Sequence, residues 1–247
     1  MCGMRTLIKN MAYRAVSLLP AKGAVILMYH SVSENRKLFT VTPDDFARQM
    51  RYLHEHGFRI TRLKDVMALA RKNALPPKSV VLTFDDGYED NYANAFPVLK
   101  KYRFPATIFV TTAFIGGGTT RQGAFVDILS EEHIREMARS GLVVFGSHAH
   151  HHVKLARLAE EKIEDELATS KKTLEGVIGA PVDTFAHPYG NFDERVQKIV
   201  AKHYAIACGV KKGRITSSSD VLLLPRNSID SEVTLTQFKG IARFGRL

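Results

Sequence analysis

Tryptophan is absent from this chain of 247 residues, and cysteine occurs only twice, as Cys2 and Cys208. Two cysteines, one of them at the extreme N-terminus, cannot form the framework of a small disulfide-stabilised fold. The apolar run Ala24–Tyr29 is far shorter than the roughly 20 residues that cross a bilayer as a helix. An apolar core must therefore hold the fold together, and we expect both cysteines to be free thiols.

The sequence also lacks the loops with which many domains bind nucleotides, since it contains neither G-x-G-x-x-G nor G-x-x-x-x-G-K-[ST]. Its net charge of +10 favours an anionic neighbour, such as a membrane surface, an acidic glycan or a nucleic acid. The lysines and arginines are scattered, however, and no basic run with interleaved aromatic residues occurs. The pattern therefore indicates no nucleic-acid partner.

The N-terminal segment carries no recognisable export signal. Residues 1–20 place basic residues among apolar ones, without an uninterrupted apolar run or a small-residue cleavage site. The apolar residues fall on one helical face, which predicts a helix that packs on the protein or lies on an anionic membrane surface. We therefore expect a helical extension over residues 1–22 and a cytoplasmic protein, with peripheral contact to the inner membrane left open.

Short apolar runs alternate with helical patterns along the rest of the chain. Several runs are apolar on consecutive residues, as in strands that are buried on both faces. Strand–helix alternation over one domain indicates a parallel sheet curved into a closed or nearly closed barrel, with an open doubly wound sheet as the alternative. The predicted strands are Ala24–Tyr29, Val80–Phe84, Ala106–Val110, Leu142–Phe145, Thr184–Phe185, Tyr204–Ala207 and Val221–Leu224.

Reactive polar residues follow closely on these predicted strands. In a parallel barrel all the strands end on the same face, and that face carries the active site. We therefore expect the residues to meet in one pocket, although they are far apart in the chain. They are His30, Asp85, Asp86, His148, His152, Tyr189 and Arg226.

The segment Gly146–His152 reads G-S-H-A-H-H-H. Imidazole is the commonest protein ligand for zinc, and two histidines with one carboxylate leave coordination positions open for catalysis. Either Asp85 or Asp86 could supply the carboxylate, and the other would remain free as a general base. Gly87 permits the turn that brings both to the site. The pattern predicts a divalent metal, zinc first, with cobalt, nickel or iron as alternatives.

Three motifs resemble those of the polysaccharide deacetylase family, carbohydrate esterase family 4, which includes chitin, peptidoglycan and nodulation-factor deacetylases. The family's T-F-D-D-G is present at Thr83–Gly87. Its H-[ST]-x-x-H occurs at His148–His152 with Ala149 in second place, and its R-x-P-Y-G occurs at Ala186–Gly190 with alanine first. The resemblance covers the chain from about Gly23 onwards.

The resemblance implies a role for each matching residue. Asp86, His148 and His152 would bind the metal. Asp85 would be the general base, and the backbone N–H of Tyr189 would help to hold the oxyanion of the tetrahedral intermediate.

The resemblance also implies a fold and a reaction. It predicts a single α/β catalytic domain over residues 23–247, folded as a distorted (β/α)7 barrel. The expected enzyme is a metal-dependent hydrolase that removes N-acetyl groups from amino sugars of a bacterial envelope polysaccharide or its precursor, so its partner would be an N-acetylated glycan or glycolipid. The alternatives are a deacetylase or deformylase of a lipid-linked or small amide, and an inactive glycan-binding relative. The oligomeric state is not indicated.

The sequence departs from the family pattern in two places. Ala186 replaces the arginine of the third motif, and the late L-x-H histidine is missing from L-L-L-P-R at Leu222–Arg226. We hypothesise that His30, in M-Y-H-S-V, supplies the proton that the amide leaving group needs. We also hypothesise that Arg226 orients Asp85 through a bidentate pair. A structural histidine and a plain ion pair are the alternatives.

Three further polar residues receive lesser roles. His150 and His151 are expected to shape the rim of the pocket or to touch solvent, and not to act as ligands. Asp90 is expected to cap the helix that follows the first motif rather than to contact sugar.

Overall fold

A computed structural model describes residues 23–35, 39–121 and 123–245. The predicted helix within residues 1–22 lies outside this range. None of the helices among the described residues is both long and apolar enough to cross a membrane. The strands are β1 (Val25–Tyr29), β2 (Ser31–Val32), β3 (Thr40–Val41), β4 (Arg59–Ile60), β5 (Ser79–Phe84), β6 (Ala106–Val110), β7 (Gly118–Arg121), β8 (Ala124–Asp127), β9 (Val143–Ser147), β10 (Thr184–Ala186), β11 (Ile206–Cys208) and β12 (Asn227–Ser228).

Helices connect most of these strands, and several begin where the sequence offers a cap. Thr42 and Ser130 each accept a hydrogen bond from a backbone N–H in the first turn of the helix that follows. A π-helical turn, Asn91–Ala95, leads directly into the third α-helix. The α-helices are α1 (Pro43–Glu55), α2 (Leu63–Arg71), α3 (Phe96–Tyr102), α4 (Glu131–Arg139), α5 (Glu160–Ile178), α6 (Glu194–His203) and α7 (Leu235–Phe244).

A curved parallel sheet runs through the molecule in the order β11-β10-β9-β6-β5-β1-β12, and β4 pairs additionally with β5. The two edges approach each other where the backbone of Leu224 makes hydrogen bonds of 2.9 Å with Ala207 and Gly209 at the β11 edge. The predicted distorted (β/α)7 barrel is therefore confirmed, as a seven-stranded parallel half-barrel. Its strands all end at one edge, which is where the reactive residues were expected.

Burial on both faces explains the consecutive apolar residues of the strands. All five residues of β1 and all six of β5 are buried. Because neighbouring residues of a strand point to opposite faces, Val25 and Leu27 pack into one apolar cluster and Ile26 packs into another. The sheet is thus sandwiched between two apolar layers, which hold its carboxyl edge in a fixed shape.

One predicted strand was wrong. Val221–Leu224 forms turns, and only Leu224 makes a β-bridge, with Cys208. Pro225 follows immediately and has no N–H for a ladder, so pairing with β1 begins only in β12. The β7–β8 hairpin was not predicted, because its half-exposed and largely polar residues give no apolar run.

Two glycines make a matched test of the packing between strands. A Cβ on Gly146 of β9 would lie 2.4 Å from Thr184 Oγ1 and 2.6 Å from Phe109 Cδ1, whereas one on Gly176 of α5 would meet nothing within 4 Å. Gly146→Ala should lower the free energy of unfolding by about 1–3 kcal/mol through overpacking. Gly176→Ala should raise it by up to ~1 kcal/mol through helix propensity. Urea denaturation measures both changes, and equal effects would contradict this view of the β9 contact.

Candidate active site

A cavity of about 570 Å³ opens at the carboxyl edge of the sheet. Its wall contains predicted residues from widely separated parts of the chain, so the sheet does bring them together. Arg226 is the exception, because it lies fully buried behind Asp85. The predicted residues that line the cavity are His30, Asp85, Asp86, His148, His152 and Tyr189.

The two aspartates reach the cavity because the chain turns sharply after β5. The N–H of Asp85 still donates to the carbonyl of Tyr29 at 2.9 Å, as a continuation of the sheet. Asp86 then takes a φ of 71° and Gly87 a φ of 76°. A positive φ is uncommon for a residue with a Cβ, and Gly87 allows the turn to continue without strain. Neighbouring carboxylates thereby line the same cavity.

Asp86, His148 and His152 form a group that could hold a metal ion. Their ligand atoms all lie within 4.8 Å of one another. His152 Nε2 is 3.3 Å and His148 Nε2 is 3.8 Å from Asp86 Oδ1. Asp86 Oδ1 is buried and has no hydrogen-bond partner among the described residues, which is costly for a carboxylate oxygen unless a cation or water meets it. Two imidazoles and one carboxylate fit zinc and similar divalent ions.

The surrounding residues also orient the ring of His148 and keep both imidazoles neutral. His148 donates from Nδ1 to the carbonyl of Ala186 at 2.8 Å, so its Nε2 is left to face the site. Burial lowers the pKa of His148, and it lowers the pKa of His152 to about 3. Both rings are therefore neutral at neutral pH, as a metal ligand must be.

The loop that carries the histidines is held by Glu166 of α5. Glu166 Oε2 accepts from the backbone N–H groups of His150 at 2.9 Å and His151 at 2.8 Å, and Oε1 accepts from His151 Nδ1 at 2.7 Å. Ala149 and His152 have positive φ values of 62° and 57°. His150 and His151 thus fasten the loop and stand outside the group of candidate ligands.

Two serines provide further support at Ala149, where the family motif has serine or threonine. The N–H of Ala149 donates to Ser147 Oγ at 3.2 Å, and Ser170 Oγ donates to the Ala149 carbonyl at 3.1 Å. The two hydroxyls are also bonded to each other at 2.7 Å. The loop therefore has a hydrogen-bonded support without a hydroxyl at position 149.

Asp85 forms a bidentate ion pair with the guanidinium of Arg226. The Nη1 and Nη2 atoms donate to the two carboxylate oxygens at 2.6 and 2.7 Å, and Nε donates to the carbonyl of Gly209 at 2.8 Å. Burial by itself raises the pKa of Asp85, but Arg226 outweighs this effect and holds the pKa well below its usual range. Asp85 Oδ2 lies 4.0 Å from His148 Nε2. The hypothesised bidentate contact is present, although Arg226 precedes β12 and does not follow a strand.

His30 and Tyr189 complete the predicted set. His30 follows β1 directly, and its Nδ1 atom is buried without a hydrogen-bond partner among the described residues. Tyr189 has a φ of 58° in the short turn Pro188–Gly190, and its ring centroid lies 4.4 Å from that of His152. Both residues therefore line the cavity that contains the candidate metal ligands.

The cavity also contains residues that the sequence did not single out. Tyr88 lies beside Asp86, and Arg121 reaches the cavity from β7. Because Tyr88 directly follows T-F-D-D-G, its position in the sequence could have indicated a place in the site. No sequence pattern indicates such a place for Arg121.

Asp90 occupies the N-cap position of the turn Asn91–Ala95, but its side chain makes no capping hydrogen bond, so the expected capping role was wrong. It accepts a hydrogen bond from the N–H of Val32 at 3.0 Å and another from the hydroxyl of Ser31. These bonds satisfy a largely buried carboxyl group and fasten the segment that follows His30.

A model of the polysaccharide deacetylase family matches residues 72–205, more than half of the chain. The chain belongs to the polysaccharide deacetylase family. The resemblance of its motifs to that family is thereby confirmed, and the family's hydrolytic chemistry agrees with the Asp-His-His group in the cavity.

Individual relatives extend the match beyond those residues. YxkH of Bacillus subtilis is 35% identical over 184 residues, which make up 74% of this chain and 62% of YxkH. A poly-β-1,6-N-acetyl-D-glucosamine N-deacetylase of Staphylococcus aureus is 29% identical over 215 residues, 83% of this chain and 73% of the relative. The solved structure of IcaB from Ammonifex degensii matches with a TM-score of 0.79 and 27% identity, over 92% of this chain and 98% of IcaB. The chain thus spans less than two thirds of the length of YxkH.

The buried ion pair between Asp85 and Arg226 predicts a pH-dependent mutational effect. Arg226→Met leaves Asp85 as an unpaired buried charge, so the free energy of unfolding should fall by about 3–5 kcal/mol near neutral pH. In the wild type the pKa of Asp85 is lower when folded than when unfolded, so its stabilisation is lost as pH falls below 3.8, the ordinary value. In the variant burial raises that pKa, and protonation relieves the penalty.

The stability difference between wild type and Arg226→Met should therefore shrink as pH falls from about 7 to about 4 in urea denaturation. Arg48→Met is the control, since the Arg48–Asp45 pair is roughly half exposed and should be worth less than about 1 kcal/mol at any pH. A difference for Arg226→Met that stays constant with pH would contradict the role of the charge pair.

Glu166 should matter for metal affinity although it lies outside the candidate ligands. Glu166→Gln loses the charge-assisted bonds to the loop, and we expect zinc affinity to fall by about 10-fold or more. Competition with a chromophoric chelator measures the change. Glu161→Gln, an exposed position on the same helix, should leave affinity unaltered. Equal zinc affinity in the Glu166 variant and the wild type would show that the loop keeps its shape without the carboxylate.

Proposed function

We propose that the domain is a metal-dependent N-deacetylase that removes acetyl groups from amino sugars of a bacterial envelope polysaccharide or its precursor. The observation that carries the proposal is the group Asp86, His148 and His152 in one cavity with Asp85, which Arg226 holds. The relative that is a poly-β-1,6-N-acetyl-D-glucosamine N-deacetylase supports an N-acetylated amino sugar as the substrate.

Three side chains would hold the cation. Asp86, His148 and His152 offer one carboxylate and two neutral imidazoles, which suits zinc first and cobalt, nickel or iron as alternatives. When bound, such a cation polarises the acetamide carbonyl and lowers the pKa of a water molecule.

Asp85 would accept a proton from the attacking water. The bond to Arg226 keeps it ionised near neutral pH, and each of its oxygens retains a lone pair that the guanidinium does not use. A carboxylate with so low a pKa is a weak base. Its value therefore lies in being fixed next to the reacting water rather than in its proton affinity.

His30 and Tyr189 would act on the substrate rather than on the attacking water. The carbon–nitrogen bond breaks only when the sugar nitrogen gains a proton. His30 is the cavity residue that we assign to donate it, because its Nδ1 is free of partners among the described residues. The backbone N–H of Tyr189 would hold the developing oxyanion. Acetate and a free amino sugar would leave.

The mouth of the cavity suits a sugar chain. Phe39 and Tyr189 are large side chains of the lining that remain more than half exposed, at 53% and 56%. Exposed rings at a cavity rim provide flat apolar surfaces, and the faces of pyranose rings are flat and partly apolar as well. The arrangement of aromatic surfaces around a few reactive polar groups fits a site that holds a glycan and hydrolyses one of its substituents.

Acetate release from β-1,6-linked N-acetylglucosamine oligomers by the zinc-loaded protein tests the proposal. His30→Ala should reduce kcat by about 100-fold or more, as expected for loss of a general acid, and should retain zinc. His54→Ala, an exposed histidine on α1, should keep full turnover. Near-normal turnover of His30→Ala would reject the assigned acid, and oligomer binding without any acetate release would favour the inactive glycan-binding relative.

A further inference from the structure

Arg121 occupies an unusual place in the cavity. It is the last residue of β7, in the β7–β8 hairpin, and it lines the same cavity as Asp86 and His152. Tyr88, which lies next to Asp86 in the chain, lines this cavity as well. The guanidinium of Arg121 therefore belongs to the wall that surrounds the candidate metal position.

The guanidinium contacts an aromatic ring and forms no ion pair with an acid of the described residues. It lies 5.5 Å from the ring of Phe114, an arrangement that leaves its N–H donors available. Its Nε atom is buried and has no hydrogen-bond partner in the described part of the chain. A buried donor without a partner is costly, so the position indicates that Nε meets a ligand group in the working enzyme.

The charge balance of the cavity points to the kind of group. Asp85 and Asp86 carry two negative charges, and Arg226 and Arg121 carry two positive charges. A bound divalent cation would therefore leave the loaded site with a positive net charge, and Arg226 is already engaged by Asp85. Arg121 is the guanidinium of the described cavity wall that still has donors to offer, and its planar fork matches a carboxylate or a phosphate.

We propose that Arg121 forms a subsite for an anionic group of the substrate, a carboxylate or phosphate carried next to the acetamido sugar. The inference rests on the proposed function, because it concerns the substrate class of the same cavity. The subsite has a second consequence. A neighbouring sugar that has already lost its acetyl group carries an ammonium, which Arg121 repels, so the enzyme disfavours densely deacetylated chains.

Two matched substrate pairs separate the possible sources of the anion. One pair is an N-acetylglucosamine–N-acetylmuramic acid tetrasaccharide with its lactyl carboxylates free or methyl-esterified. The other is N-acetylglucosamine 1-phosphate and its methyl glycoside. The zinc-loaded wild type should prefer the anionic member of at least one pair by about tenfold in kcat/KM, the effect of one charge-assisted hydrogen bond. Added salt should reduce the preference.

Arg121→Gln should abolish this preference, mainly through KM, and Arg121→Lys should keep part of it. Arg59→Gln is the control, because Arg59 is exposed on β4 beside the start of β5, at the opposite edge of the sheet. Thermal unfolding shows whether the variants remain folded. No preference in the wild type, or equal losses on both members of a pair in Arg121→Gln, would overturn the proposal.

Calorimetric measurement of the binding of the same substrate pairs distinguishes failure of the anionic subsite from failure of the proposed deacetylation. If no sugar releases acetate, the proposed deacetylation fails, while tighter binding of the anionic member that is lost in Arg121→Gln still supports the subsite. If acetate is released but the anionic and neutral members bind and react alike, deacetylation stands and the anionic subsite is rejected.

Discussion

The buried pair between Asp85 and Arg226 is the interaction on which the site depends. Both side chains are almost completely buried, and removal of either would leave the other as an uncompensated charge. The pair also joins the end of β5 to the segment before β12, with Gly209 after β11 as a third contact. One interaction thus links three parts of the half-barrel and keeps a carboxylate ionised beside the candidate metal position.

Two neighbouring aspartates can then differ in chemistry. The charge of Asp85 is balanced by the guanidinium of Arg226, which leaves Asp86 to face the histidines with an oxygen that has no hydrogen-bond partner among the described residues. Asp86, which faces the histidines, has a positive φ, an uncommon backbone conformation that is typical of functional sites. In the loop after β9, Ala149 and His152 also have positive φ values, and hydrogen bonds with Glu166 and two serines support this part of the chain. Unusual backbone and its support therefore concentrate at the candidate metal site.

Much of this arrangement could be predicted because strand ends and motifs are local signals. Apolar runs located β5 and β9, and a parallel sheet then required His30 and Asp85 to converge with the histidine loop. Other features depend on contacts that no local pattern records. Val221–Leu224 has the composition of a strand, but Pro225 and the geometry of the sheet edge prevent regular pairing there. Arg121 reaches the cavity through a hairpin without apolar periodicity, so only the folded chain reveals it.

Anomalous diffraction from crystals grown with cobalt tests the central claim most directly, because it locates the ion and its ligands without assuming a substrate. The account predicts one strong peak at coordination distance, about 2.0–2.2 Å, from the Asp86 carboxylate and from the rings of His148 and His152, with Asp85 still paired to Arg226. A cavity without a peak, or a peak only at the exposed ring of His151, would contradict it.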